Sequence, residues 1–140
     1  MKAIKNHALS IISYAVLPLL LLLTACHESL EDRAAREARE YTQKNCPTPV
    51  VQDTRTDSLT VDKAMRTIGY WYTLCGKADN PEGVKSQQQK LRGVLLSGLK
   101  ASTQLKLYKD AGFNIRYVYH SEKNPKLVLI DFTFSQKDYQ

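Results

Sequence analysis

The sequence predicts an α+β domain of two layers: a four-stranded antiparallel sheet with helices on one face, in the order helix, hairpin, helix, hairpin. Three observations carry this reading. Apolar and polar residues alternate through Ile68 to Leu74 and again through Phe113 to Tyr119, the period-two signature of strands. Between them Val84, Leu91, Val94, Leu95 and Leu99 recur at spacings that place them on one helical face. Short turns at Asp62 to Met65 and Ser121 to Pro125 join each alternating segment to another, which favours antiparallel hairpins and a simple two-layer packing.

In chain order, the first segment is a leader. Lys2 and Lys5 precede an apolar run from Ala8 to Leu23, too short for a membrane span of about 20 residues and interrupted by Pro18. The run ends in Leu23-Thr24-Ala25-Cys26, which resembles the lipobox of bacterial lipoproteins. That resemblance implies a diacylglyceryl thioether on Cys26, removal of residues 1 to 25, and anchoring of the mature chain to a membrane through lipid. His27 is not the aspartate linked to inner-membrane retention in enteric bacteria, so the outer membrane is expected, on its periplasmic or its surface face. Loss of Lys2 and Lys5 lowers the net charge from +6 to +4, and the basic balance then says little about nucleic acid, which is not an expected partner.

Residues 26 to 44 read as a lipidated tether running into a charged helix. Glu28 to Lys44 is rich in helix formers, with Asp32/Arg36 and Glu40/Lys44 at i,i+4 spacing, but its apolar stripe of Leu30, Ala34, Ala38 and Tyr41 is thin. A spacer is expected up to about residue 34 and a docked helix beyond it. Pro47 and Pro49 stop the helix, and a single domain is expected over residues 45 to 140. Leu59 and Val61 begin the first hairpin. Asn80 is placed to cap a helix with Pro81 at its first position, Ser102-Thr103 to break or recap it, and Gly112 to end it in the left-handed region. Val128, Ile130, Phe132 and Phe134 form the last strand.

Three segments carry a further resemblance. Thr54-Arg55-Thr56-Asp57-Ser58, Tyr70-Trp71-Tyr72-Thr73-Leu74 and the tyrosine-rich run after Gly112 are similar to TR-x-D-S and Y-x-Y-x-L patterns in a group of small exported bacterial proteins of uncharacterised function. The resemblance implies an exported α+β domain and assigns no activity.

Cys46 and Cys75 remain once Cys26 is lipidated. They are either a disulfide, closing a loop of about 30 residues worth roughly 3 to 4 kcal/mol, or two independent thiols. Their spacing is not that of a zinc site, and no cofactor is expected. Asp53, Arg55 and Asp57 lack the glycine and glutamate of a calcium loop and read as a solvated turn. His120, Glu122 and Asp131 gather near the last hairpin, yet no nucleophile is tied to them by spacing, so the chain is read as not an enzyme. Lys85, Lys90, Arg92, Lys100, Lys106 and Lys109 read as the wet face of the second helix. The stronger lead is aromatic: Tyr70, Tyr72, Tyr117 and Tyr119 share one face of two strands, with Trp71 on the other. Either the tyrosines form a patch or they pack as core and leave Trp71 on the open face. These five residues are the candidate binding surface, for an envelope protein or, alternatively, for a cell-wall glycan.

Overall fold

The computed structural model describes residues 27–140, so the leader and the Cys26 lipidation site lie outside the described residues. The fold is α+β, with a four-stranded sheet in the spatial order β1-β2-β3-β4. Its strands are β1 (Thr54–Asp62), β2 (Thr67–Leu74), β3 (Asn114–Ser121) and β4 (Val128–Phe134), preceded by helix α1 (Leu30–Asn45). Between the hairpins lie α2 (Pro81–Ser86), α3 (Gln88–Ala101) and α4 (Lys106–Asp110), and the chain closes with α5 (Gln136–Tyr139).

Both hairpins are antiparallel as expected, but the central pair is parallel, with Ile68 beside Ile115 and Tyr72 beside Tyr119. The sheet is therefore mixed. The reason is the crossover: α2, α3 and α4 carry the chain from the end of β2 back to the end where β2 began, and β3 sets off in the same direction.

Helix α1 begins earlier than its thin stripe implied. The Ser29 hydroxyl oxygen accepts from Asp32 N at 3.0 Å, and helix follows without a spacer. Ala34 is 3% exposed and joins the core cluster, so α1 belongs to the domain and does not precede it. Small alanines let the helix approach closely, while Glu31 reaches Arg66 at 2.8 Å and Asp32 reaches Lys63 at 2.9 Å on the β1–β2 turn. Farther along, the Thr42 hydroxyl donates to Leu59 O (3.1 Å) and accepts from Leu59 N (2.8 Å), capping the free edge of β1. The segment after α1 continues that cover, with Thr48 N donating to Thr56 O at 2.9 Å.

The expected second helix is three pieces. Asn80 caps α2 through Gly83 N, Gln87 separates α2 from α3, and Gly112 at φ +77° releases the chain into β3. Leu99, Phe113, Ile115 and Phe134 are the most deeply buried large side chains on the helix-covered side. Tyr139, in the short α5 that the sequence reading did not anticipate, donates to Phe113 O at 2.7 Å. Asp53 lies in a two-residue turn at φ +57°, but Arg55 and Asp57 do not: β1 starts at Thr54, and Asp57 sits at a bulge where it takes hydrogen bonds from Arg55 (2.7 Å) and Thr73 (2.6 Å).

Candidate functional site: a tyrosine-floored groove

Strand alternation sends Tyr70 and Tyr72 of β2 and Tyr117 and Tyr119 of β3 toward the helices, and the parallel in-register pairing sets them side by side. The rings stack in a two-by-two array: Tyr70 on Tyr117 at 5.4 Å, Tyr72 on Tyr119 at 4.6 Å, and Tyr70 on Tyr72 at 6.3 Å. All four rings are half-buried, and Tyr70 and Tyr119 pack against the core cluster while each also lines a cavity. Burial pushes the phenols of Tyr70, Tyr117 and Tyr119 up to about 12, and that of Tyr72 farther, so all four stay neutral in any cellular compartment.

The helices stand apart over this floor. Leu91, Val94 and Leu95 of α3 flank a cavity of about 640 Å³ that reaches Tyr119, Leu74 and Ile130 and is also lined by Gln52 and Asn80. A second, smaller cavity of about 180 Å³ is lined by Ala38 and Tyr41 of α1, by Leu105 and by Tyr70 at the other end of the tyrosine array. Beside this second cavity the Tyr108 hydroxyl of α4 donates to Glu37 of α1 at 2.6 Å. Val94, 61% exposed, and Tyr41 stand on the rim as apolar groups facing solvent. The lining is mostly hydrocarbon and aromatic, a surface suited to an apolar side chain row.

Trp71 lies on the opposite face, as alternation requires. Its indole N–H donates to Thr60 Oγ1 at 2.8 Å across Gly69, where a Cβ would stand only 2.8 Å from the Thr60 oxygen. Arg116 covers the ring at 5.7 Å and is itself held by two bonds to Asp131, while His120 stacks at 6.0 Å. Trp71 is therefore a packed part of a polar network and not a free platform.

The acid/base candidates do not converge. His120 Nδ1 pairs with Pro125 O at 3.0 Å, Asp131 is committed to Arg116, and Glu122 takes a 3.4 Å bond from Gly76 N. Among the described residues no group of three His, Cys, Asp or Glu side chains is placed to hold a metal ion. Three of the six basic residues around the second helical region have structural work: Arg92 lies over Phe132 and Phe134, Lys109 donates to Leu99 O and Lys100 O, and Lys106 pairs with Asp110.

Cys46, partly exposed, and Cys75, buried, are both free thiols in this structure. Cys75 N bonds to Asp53 O, while Cys46 lies two residues before Thr48, which pairs with Thr56. Burial pushes both thiols above their ordinary value.

Sequence reasoning singled out the four tyrosines for the site and assigned Tyr41, Leu91, Val94 and Leu95, which line the two cavities, only to the apolar faces of helices. The available signal was an excess of apolar residues on α3, more than one stripe of a core helix needs.

Among the described residues no helix is long and apolar enough to cross a membrane. The fold is shared with a protein of Pseudomonas aeruginosa provisionally assigned as secreted, at a TM-score of 0.63 and 15% identity over 80% of this chain and 98% of that one. The pilotin of the Vibrio vulnificus type 2 secretion system matches at a TM-score of 0.59 and 14% identity, covering 79% and 92% of the two chains. The type II secretion system pilotin AspS from Vibrio cholerae matches at 0.54 and 15%, covering 78% and 91%. No curated protein matches the sequence. The family described as a domain of unknown function, DUF8479, matches residues 29–130, from the cap of α1 to the middle of β4, and the chain belongs to it.

Proposed function

We propose that this protein is a lipid-anchored lipoprotein of the bacterial envelope, held through Cys26, that binds an apolar segment of a protein partner in the tyrosine-floored groove and performs no chemistry. The groove carries this reading. A larger cavity with hydrocarbon walls at Tyr119, a smaller one at Tyr70, the stacked tyrosine array that links them and exposed apolar residues at Val94 and Tyr41 make a surface of the kind that takes the buried face of an amphipathic helix. Likeness in fold to pilotins of type II secretion systems supports an envelope setting and a protein partner. The lipobox resemblance supports anchoring, with the outer membrane as the expected site.

A glycan is the second reading, favoured by the stacked rings and by the amides of Gln52, Asn80 and Gln87 at the open end. The largely apolar walls speak for protein. Photo-crosslinking from position 94 in intact envelopes, compared with position 133 on the far face, separates them. A discrete protein adduct from position 94 alone is expected. Adducts to wall polymer would favour the glycan, and equal adducts from both positions would overturn the groove as the site. For the anchor, Cys26→Ser is expected to release the protein from membranes, and retention after high-salt washing would contradict it.

A further inference from the structure

The position of the anchor relative to the groove fixes which end of the molecule faces the membrane. Both carboxylate oxygens of Glu28 accept from Arg36, at 2.9 and 3.0 Å, and Ser29 caps α1, so the chain is fastened to the domain from Glu28 onward. Cys26 lies only two residues before Glu28, a reach of about 7 Å at full extension. Acyl chains on Cys26 would therefore hold the start of α1 against the headgroups. The β1–β2 turn shares this end, tied to the first turn of α1 by the Lys63–Asp32 and Arg66–Glu31 pairs. At the tip of that turn Met65 is 66% exposed. Its backbone N–H is held by Asp62 Oδ1 at 2.9 Å and its carbonyl by Asn114, so a firmly built turn presents an apolar side chain outward.

We propose that the β1–β2 turn rests on the bilayer surface with Met65 among the lipid headgroups, holding the mouth of the groove away from the membrane. This rests on acylation of Cys26. The larger cavity is lined by Leu74 and Gln52, at the far end of β2, about 23 Å along the strand from the turn. The cations flanking Met65 are already paired with carboxylates, so the contact is apolar and does not draw on anionic lipid. One methionine binds a bilayer too weakly to hold a free protein, but the short tether keeps its local concentration high. An unacylated protein is thus expected to ignore vesicles, and an acylated one to sit in a fixed attitude.

The test uses the mature protein purified from membranes and reconstituted into phosphatidylcholine vesicles, with or without phosphatidylglycerol. In a Trp71→Phe background, Met65→Trp should be quenched by brominated phosphatidylcholine several-fold more than Val94→Trp, with little change on adding phosphatidylglycerol. The unsubstituted protein supplies a second measurement: amine labelling of Lys63 should fall several-fold between detergent and vesicles while that of Lys77, at the mouth, is unchanged. Equal quenching at positions 65 and 94, or equal labelling of the two lysines, with Cys26 shown by mass spectrometry to be acylated, would overturn the orientation alone. An unacylated Cys26 would overturn the anchoring reading and the orientation with it.

Discussion

The hydrogen bond between Tyr108 and Glu37 joins α4 to α1 beside the smaller cavity. It holds the Glu37 carboxyl below its ordinary value of 4.5. Burial first, and that carboxylate second, push the Tyr108 phenol up to about 12. The two shifts act on opposite sides of neutrality. A lowered carboxylate stabilises the fold fully above its ordinary value, and that contribution is lost as the pH falls through the folded value. A raised phenol stabilises fully below 10 and loses its contribution as the pH climbs toward about 12, as do Tyr70, Tyr117 and Tyr119. Melting temperature should therefore be flat from roughly pH 5 to 9 and fall on both sides. Glu37→Gln should soften the acid fall, and a melting curve still rising above pH 10 would contradict the phenol assignment. The thiols give a second expectation at this scale. With Cys26 acylated, the denatured mature protein should yield two alkylatable thiols, Cys46 and Cys75. In the native protein the partly exposed Cys46 should react well before the buried Cys75. A disulfide-linked peptide in the unreduced protein would refute this.

Among the elements, α1 carries more than its sequence advertised. A chain starting at Asn45 removes Ala34 and Ala38 from the core and uncovers the edge of β1, so it should unfold without a cooperative transition, whereas one starting at His27 should retain it. Circular dichroism during heating distinguishes the two. Within the intact chain, Thr42→Val keeps the shape and removes both bonds to Leu59. A loss of about 1 to 3 kcal/mol is expected from urea unfolding, because two backbone groups are left without a side-chain partner. Most elements were legible because their signals are local: period-two alternation in β2, β3 and β4, the Asn80 cap with Pro81, and Gly112 as the stop. What was not legible depends on distant partners. Alternation in β2 and β3 cannot reveal whether they run parallel, since the crossover helices decide that. The stripe of α1 looked thin because alanine adds little apolar area by itself and becomes a contact only when a strand comes close. The tyrosines were found by alternation, but half-burial is a property of how far α1 and α3 stand apart, which neither helix encodes alone.

For the whole molecule, the groove and the core should be separable by mutation. Val94→Asp replaces an exposed rim residue, so its effect on unfolding is expected within about 0.5 kcal/mol. The same change places a carboxylate in the path of an apolar partner and should weaken capture in envelope extracts by about thirtyfold, the loss typical of a hot-spot residue. Phe134→Ala should do the reverse, costing about 3 to 5 kcal/mol of stability through a core cavity. If Val94→Asp left capture untouched while folding stayed intact, the groove would not be the binding surface. The covered edge of β1 has a consequence for how copies of this protein meet. Thr42 and Thr48 occupy backbone groups of Leu59 and Thr56 there, whereas β4 has no strand partner on its outer side among the described residues. In the terms of polymer chemistry the sheet is a monofunctional monomer. Joining through β4 consumes the one reactive end, so edge-to-edge growth stops at two units and cannot propagate into a fibre, even at the crowding that anchoring to a membrane plane would impose.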